Sequence, residues 1–321
     1  MTALAQLARR PSSLPAPLTL HAADLAEARV RLELLRHGAD ERLKAMREPA
    51  IAESVGSAGR LDGLEVDAAR LCTILLGNPL LLDASERQAR GLRDAFLLVS
   101  ERGSGLPLTE PTLRRLHRMV GGGGRSRREV ESAEVEELLG LARQCLEDRW
   151  VVPEIVAAAL ELDVAALRPF GAESGRMSLL ALQLALAHAG SDVGGYVSLP
   201  RLTEDSRERY QAVLDESARG YQDGWEDPWP FLLYRLVVLK TAYGELRNSL
   251  GHPPKKAGTK AELVRAAVEA AEGRVTLAGL MRSCPGVSER TIQNVLRRMK
   301  GEGKLSALGR GPGTPWERPG S

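Results

Sequence analysis

A short loop before a long apolar run contains the residues of this chain best suited to bind an anion. The segment ALRPFGAESGRMSLL spans Ala166 to Leu180, and Gly175 and Arg176 stand where the apolar run begins. Free N–H groups at a helix N-terminus, together with a guanidinium, are typical of a phosphate-binding loop. Arg168, earlier in the segment, carries a guanidinium that stays protonated. The loop therefore has the form of a phosphate-binding loop at a helix start.

A second constellation lies near the C-terminus, in the segment SERTIQNVLRRMK from Ser288 to Lys300. Ser288 is a good N-cap residue, and the apolar repeat behind it predicts a helix with one buried face. That face would consist of Ile292, Val295, Leu296 and Met299. The opposite face carries side chains that hydrogen-bond base edges in a DNA major groove: Arg290, Gln293, Asn294 and Arg297. Ser288 belongs to the same predicted DNA-binding set, and the predicted phosphate contacts are Arg298, Lys300, Lys304 and Arg310.

The charge of the chain is unevenly distributed. The overall formal charge is +2, with +7 on the residues from His252 onward and −5 on the rest. A basic segment on a mildly acidic body favours an anionic partner for that segment, and we expect double-stranded DNA. An ordinary solvated helix face, or a helical domain that binds protein, is the alternative.

The elements that position the first loop are predicted to be helices. Residues up to 250 follow a 3.6-residue period with no convincing strand, which predicts an all-α bundle. Helices are expected over 24–37, 39–53, 66–76, 85–101, 131–148, 153–162 and 176–189, with two long ones in 198–221 and 227–250. Glycines at 56 and 59 are expected to break the bundle there, and Gly190 is expected to cap a helix.

Three further local features follow from the body sequence. Thr109 is predicted to cap a helix with Pro111 in its first turn. His117 falls on the apolar face of that helix, so we expect a buried structural histidine rather than a metal ligand. Residues 1–20 lack the apolar core of a signal peptide and are predicted to be a flexible tail.

The second constellation is predicted to lie in a separate small domain. Residues 251–258 contain two prolines and two lysines and are expected to form a linker. Helices are predicted over 259–271, 276–283 and 288–300, followed by two strands, KLSAL and TPWER, on either side of GRGPG. This order is that of a winged helix-turn-helix domain over 259–321.

Several function classes are excluded by composition. No apolar run is long enough to span a bilayer, so no membrane partner is expected. The cysteines, Cys72, Cys145 and Cys284, are odd in number and scattered, which argues against a disulfide framework and favours a cytoplasmic location. The histidines share no ligand spacing, so no metal site is predicted.

The segment LRPFGAESGRMSLL resembles the signature loop of Fic-domain proteins, H-x-F-x-[D/E]-G-N-G-R-x-x-R. AGRLDGLEVDAARLCTILLGNPLL is similar to the region of the family's inhibitory helix, and LTEPTLRRLHRMVGGG to the helix before its substrate flap. Residues 196–243 resemble the closing helices of long bacterial members, and CPGVSERTIQNVLRRMKGEGKLSALGRGPGTPW resembles a winged helix appended to them. The resemblance implies an N-terminal helical region over 21–107, a Fic-like domain over 108–250 and a winged helix.

The resemblance implies a chemistry that this loop no longer supports. Active members transfer AMP, or another phosphate-containing group, to a hydroxyl of a target protein, which needs a base, a metal-holding acid and an anion nest. Arg168 stands at the position of the catalytic histidine, and Ala172 at that of the metal-holding carboxylate. Glu173 and Ser174 replace the Gly-Asn pair of the nest, and Leu179 replaces the second arginine.

The matching positions of the loop are Pro169, Phe170, Gly175 and Arg176. We interpret them as structural: Phe170 packs into the core, and the Gly-Arg pair shapes the start of a helix.

The inhibitory segment and the flap have changed as well. In the family an inhibitory glutamate contacts the second arginine of the signature, whereas here Asp62, followed by Gly63, stands at the glutamate position and leucine at that of the arginine. Both partners of the switch are altered, as expected if nothing remains to inhibit. The flap interval holds RSRREVESAEVE, with no alternating strand pair that would bind a target peptide.

These observations predict a catalytically degenerate, bacterial Fic-fold protein that regulates transcription through its winged helix, without a cofactor. Such a domain reads one half-site, so a homodimer is expected on a palindromic operator. One alternative is a residual nucleotidyl transferase that uses ATP and Mg²⁺, with Glu173 or another residue as base. The other is a scaffold in which both parts bind proteins.

Overall fold

The computed structural model describes residues 2–36, 39–121, 132–221 and 227–251. In the C-terminal part it describes residues 264–265, 267–268, 275–284, 287–307, 309 and 315–317. The chain divides into two compact units, Met1–Gly251 and His252–Ser321. The architecture is mainly α, as predicted. No helix within these ranges is both long and apolar enough to cross a membrane.

The first unit is a bundle of helices around one hydrophobic core. Its helices are α1 (Ala3–Ala8), α2 (Ala16–Arg36), α3 (Asp40–Leu61), α4 (Ala68–Leu76), α5 (Ala84–Arg102), α6 (Glu110–Val120), α7 (Ser132–Asp148), α8 (Pro153–Leu167), α9 (Ser174–His188), α10 (Leu199–Glu204), α11 (Arg207–Ala218) and α12 (Trp229–Gly251). Short 3₁₀ turns lie at Gly103–Gly105, Gly171–Glu173 and Val193–Gly195.

The centre of the bundle is the pair formed by α8 and α9. Their sequences are mostly apolar, and every residue from Glu154 to Val164 in α8 is buried, including three acids. α2, α7, α11 and α12 pack on α8, while α3, α5 and α6 pack on α9. The predicted glycine end of α9 is confirmed: Gly190 has a φ of +77°, and the next N–H donates to the Leu186 carbonyl at 2.8 Å.

Two buried charges lie within this core. The Arg235 guanidinium and the Glu161 carboxylate are both fully buried and bonded to each other, and Arg235 also donates to Thr203 Oγ1 at 2.8 Å. The rings of Tyr210, Phe231 and Tyr234 surround the guanidinium at 5.6–5.7 Å. Burial raises the pKa of Glu161 to about 7 despite its partner.

The prediction of a flexible tail over residues 1–20 is wrong. Ala3, Leu4 and Leu7 are completely buried, because α1 packs on α7 and α8. The buried carboxylate of Asp163 accepts hydrogen bonds from the backbone N–H groups of Ala3 (2.8 Å) and Leu4 (3.0 Å), which are free donors at the start of α1. The short helix α1 is thus held in place by its buried apolar residues and by the Asp163 carboxylate of α8.

The predicted break at Gly56 and Gly59 is also wrong, since α3 continues through both to Leu61. The glycines give α3 a flat face on which two leucines pack. A Cβ at Gly56 would lie 3.6 Å from the Leu71 side chain, and a Cβ at Gly59 would lie 3.5 Å from the Leu64 side chain. The helix ends one turn later at Asp62, and Gly63 takes the left-handed conformation that its termination requires (φ +73°). In contrast, the long helix expected in 198–221 is divided into α10 and α11.

A close approach of two backbones fixes α5 against α6. A Cβ at Gly91 would lie 1.8 Å from the Met119 carbonyl oxygen, so no other residue fits between the two helices as they stand. α6 has Thr109 as its N-cap residue and Pro111 in its first turn, as predicted. His117 on α6 is buried, again as predicted.

The second unit has its own small core, with Ile292, Val295, Leu296 and Met299 all buried as predicted. Its described elements are α13 (Leu277–Ser283), α14 (Glu289–Gly301), β1 (Ser306–Ala307) and β2 (Trp316–Glu317). Thr276 caps α13 and Ser288 caps α14, each through its side-chain oxygen. β1 and β2 pair antiparallel, and Val275 pairs with Trp316 on the other edge of β2.

Candidate functional site

The loop between α8 and α9 is the first candidate site. Arg168 ends α8 in the left-handed conformation (φ +53°), an arrangement that favours glycine. Its side chain is exposed, and one guanidinium nitrogen lies 3.4 Å from the Gly171 carbonyl oxygen. The residue at the loop's first polar position is therefore a solvated cation that closes the turn, and it has no lone pair for a proton.

Ser174 closes the other end of the loop. Its hydroxyl accepts a hydrogen bond from the Phe170 backbone N–H at 3.1 Å, and both residues are buried. The Phe170 ring packs into the core as predicted, with 2% of its surface exposed. Because the loop satisfies this N–H internally, that donor is not free for a ligand.

Asp62 fills the start of α9. The Asp62 carboxylate accepts a hydrogen bond from Arg176 Nε at 2.6 Å, and Arg176 Nη1 lies 3.2 Å from Gln88 Oε1. Burial raises the pKa of Asp62 more than the Arg176 guanidinium and backbone N–H lower it. The switch pair is altered as the sequence indicates, with Asp62 at the glutamate position and Leu179 at that of the second arginine. The contact of Asp62 with the first, retained arginine is one that the sequence did not predict.

Gly175 allows this approach. A Cβ at position 175 would lie 2.3 Å from Asp62 Oδ1, which is far inside contact distance. The interpretation that Gly175 and Arg176 simply shape the helix start is thus incomplete, since both form the pocket of one carboxylate. The Asp62 carboxylate is thus an anion at the N-terminus of α9, in addition to Glu173, the residue that precedes this helix.

His117 is the functional candidate whose neighbours sequence reasoning missed. Its ring contacts that of Phe170, with centroids 5.0 Å apart, and its Nε2 lies 3.7 Å from Glu173 Oε2. Burial lowers the pKa of His117, and the nearby Glu173 carboxylate opposes this. The helical period correctly predicted burial of His117, but no local signal showed that its face packs on the loop.

The loop does not fit the Mg²⁺ that the sequence resemblance implies. Ala172, at the position of the metal-holding acid, offers no oxygen donor. Leu179, at the position of the second arginine, is buried in the core with 3% of its surface exposed. In the described residues, histidine, cysteine and acidic side chains nowhere gather in threes that could hold a metal ion. The arrangement is a closed carboxylate–arginine contact beside a histidine–glutamate pair.

The outer face of α14 is the second candidate site. Arg290, Asn294 and Arg297 are exposed on one side of this helix, while Gln293 is half-buried and donates to Glu289 Oε1 at 2.8 Å. Ser288 is exposed at the N-terminus of the same helix.

Two of the residues predicted to contact phosphates lie beside one acid, Glu302. Arg298 and Lys304 lie 3.4 and 3.7 Å from the Glu302 carboxylate, and Lys300 is exposed. Arg265 also pairs with Glu302, at 2.7 Å. Arg310, the predicted wing residue, lies outside the described residues, as do residues 122–131, which contain most of the predicted flap interval.

Comparison with solved structures shows the fold of this chain. It is similar to a Fic family protein from Desulfovibrio desulfuricans G20, with a TM-score of 0.58 and 17% identity over 97% of this chain and 98% of that one. It is also similar to a Fic domain containing signaling protein from Bacteroides thetaiotaomicron VPI-5482, with a TM-score of 0.54 and 15% identity over 71% of this chain and 98% of that one.

At these identities the likeness establishes a Fic-domain fold, in agreement with the sequence prediction, and leaves function open. No family model matches the sequence. No curated protein matches it either.

Proposed function

We propose that this chain is a Fic-fold protein that transfers no nucleotide and regulates transcription by binding double-stranded DNA through α14. The proposal rests on one observation: the buried and exposed faces of α14 separate cleanly. The exposed face presents Arg290, Asn294 and Arg297, two residue types that form paired hydrogen bonds with guanine and adenine edges. Capping by Ser288 and two antiparallel strands after the helix support a winged helix-turn-helix arrangement.

The ion pairs around Glu302 are compatible with this role. Arg298 and Lys304 have 80% and 54% of their side chains exposed, so exchanging one carboxylate for DNA phosphates costs little. The +7 charge of the unit adds a long-range attraction to DNA. We therefore place the proposed protein in the cytoplasm of a bacterium, where it would regulate transcription.

The first loop supports the absence of transfer activity. A phosphate at the start of α9 would have to displace the Asp62 carboxylate from Arg176, and Arg168 cannot act as base. No cofactor is therefore proposed.

The DNA-binding proposal is tested by selecting bound fragments from genomic DNA and measuring their affinity by electrophoretic mobility shift. We expect Arg290→Ala and Arg297→Ala each to weaken specific binding by about 1–3 kcal/mol. Lys304→Ala should weaken binding to all sequences alike and reduce the salt dependence of binding.

The matched control is Arg209→Ala, which removes an exposed arginine of α11 and should leave DNA affinity unchanged. Fragments bound equally by the α14 variants and the unaltered protein would contradict the proposal. Protein partners recovered without DNA binding would favour the scaffold.

The His117–Glu173 pair favours one alternative, a transferase that uses this pair as its base. Incubation with labelled ATP and Mg²⁺ tests it, and we expect no label on this chain or on proteins of a cell extract. Label that disappears in His117→Ala, with folding retained by circular dichroism, would establish the enzyme instead.

A further inference from the structure

A cavity of about 870 Å³ lies at the end of the α8–α9 pair opposite the loop. It is lined by the start of α8 and the end of α9, by α2 and by the C-terminal part of α7 with the residues that follow it. Since α8 has 15 residues, the rise of an α-helix places the two ends about 20 Å apart. The cavity is thus separate from the loop described above.

The lining of the cavity is rich in arginine. It contains Arg29, Arg143 and Arg149 together with His188, and Glu147 is the acid among the lining residues. Arg143 is already engaged, through Glu136 at 2.7 Å and the Leu108 carbonyl at 2.5 Å. Arg29 is held loosely, at 3.5 Å from Glu154 and 3.4 Å from Ser191 Oγ, near the outer limit of a hydrogen bond.

Arg149 has no such engagement. It is exposed and makes no hydrogen bond or ion pair with the described residues. Its φ of +54° is a conformation that side-chain-bearing residues rarely adopt. Arg10 and Arg168 share this conformation, but their side chains are anchored, at 2.9 Å to Asp148 and at 3.4 Å to the Gly171 carbonyl. Arg149 therefore combines an unfavourable backbone conformation with a guanidinium that has no partner among the described residues, and it is one of the residues that line the cavity.

The rest of the lining is apolar. Leu146, Trp150, Val151, Val152 and Pro153 form this side. The Trp150 Nε1–H is buried and has no acceptor among the described residues, although a buried indole N–H usually finds one. A cavity of this size, with an apolar wall and a few convergent cationic groups, has the character of a small-molecule site.

We propose that this cavity binds a small organic anion. A carboxylate or phosphate group of the ligand would contact Arg149 and Arg29, and an apolar group would pack against Trp150 and Pro153. The inference is independent of DNA binding, and it assigns the Fic-like body a ligand of its own.

The test uses the full chain and the fluorescent anion 8-anilinonaphthalene-1-sulfonate, which joins a sulfonate to aromatic rings. Arg149→Gly removes the guanidinium and also fits the left-handed backbone, so folding is expected to be retained or improved. We expect this variant to bind the probe at least about tenfold more weakly, the effect of one lost charged hydrogen bond. Arg149→Lys should lose less, because the positive charge remains.

Arg209→Ala serves again as the control and should bind the probe normally, while thermal unfolding verifies that every variant is folded. Sodium decanoate and phenyl phosphate are then added as competitors, and the one that displaces the probe at lower concentration identifies the preferred anionic group. Inorganic phosphate tests charge alone and should displace the probe poorly. Equal affinity of the Arg149→Gly variant and the unaltered protein for the probe would overturn the proposal. So would displacement by inorganic phosphate as effectively as by the two organic anions.

Discussion

At the scale of single residues, the contact between Asp62 and Arg176 determines how the start of α9 is used. The free N–H groups of a helix N-terminus attract an anion, and here the chain supplies one from the end of α3. Gly63, in the left-handed conformation, ends α3 next to Asp62, and Gly175 leaves the space that the Asp62 carboxylate occupies. The start of α9, which could attract an external anion, is thus occupied by an internal contact between α3 and α9.

Gly175→Ala tests this contact. The added methyl would overlap Asp62 Oδ1, so we expect the free energy of unfolding to fall by about 1–3 kcal/mol. In the background of Asp62→Ala the same change should cost much less, because the overlapping atom is gone. Gly244→Ala is the control: its Cβ would meet nothing within 4 Å, and it should be neutral or slightly stabilising. Urea denaturation measures all four, and equal costs of Gly175→Ala in both backgrounds would contradict the interpretation.

The sequence indicated both members of the contact but not that they meet. Asp62 and Arg176 were identified from the family pattern, which assigns the acid to the other arginine position, where Leu179 now stands. Which guanidinium meets the acid depends on the packing of α3 against α9, and this is a property of the tertiary structure. For the same reason the neighbours of His117 could not be predicted, although its burial could.

At the scale of secondary structure, helices with clear caps were predicted well. α6 and α14 begin at the expected cap residues Thr109 and Ser288, because a side-chain or proline signal marks each start. α3 was predicted poorly, since glycines break an isolated helix but also permit close packing in a folded one. α1 has a local cap in Thr2. The tail was misjudged because the surface on which α1 packs and the Asp163 carboxylate that accepts from its first N–H groups are distant in sequence.

Docking of α1 gives a prediction at this scale. Leu4 is completely buried, so Leu4→Ala should lower the free energy of unfolding by about 2–5 kcal/mol if α1 is part of the core. Leu80→Ala removes the same atoms from a leucine that is 83% exposed and should stay within about 0.5 kcal/mol of the unaltered protein. Chemical denaturation gives both values. If Leu4→Ala changed the free energy of unfolding as little as Leu80→Ala does, the docking of α1 would be contradicted and residues 1–20 would be a flexible tail after all.

At the scale of the whole molecule, a homodimer remains our expectation for a protein that binds a palindromic site. α2 uses Leu18, Leu25 and Leu32 for the core, while its other side exposes a second apolar stripe. The stripe follows the 3–4 spacing of helix pairing and consists of Leu20, Ala23, Val30 and Leu34, with Glu27 at its centre. We propose it as the contact with a second copy.

Size-exclusion chromatography with light scattering measures the molar mass in solution and so tests whether the protein is a dimer. Leu34, with 72% of its surface exposed, can be changed to Glu without disturbing the core, and we expect Leu34→Glu to shift the protein toward monomers. Leu80→Glu introduces the same charge at an exposed leucine outside α2 and should leave the oligomeric state unchanged. A monomeric unaltered protein, or a dimer unaffected by Leu34→Glu, would rule out the α2 stripe as the interface.

The glycine at position 91 has a consequence for the loop between α8 and α9. α6 lies so close to α5 that a single methyl group there would force the two helices apart. His117 travels with α6, and its ring is what Phe170 and Glu173 meet. The absence of a side chain at Gly91 thus helps to hold the His117 ring against the loop between α8 and α9.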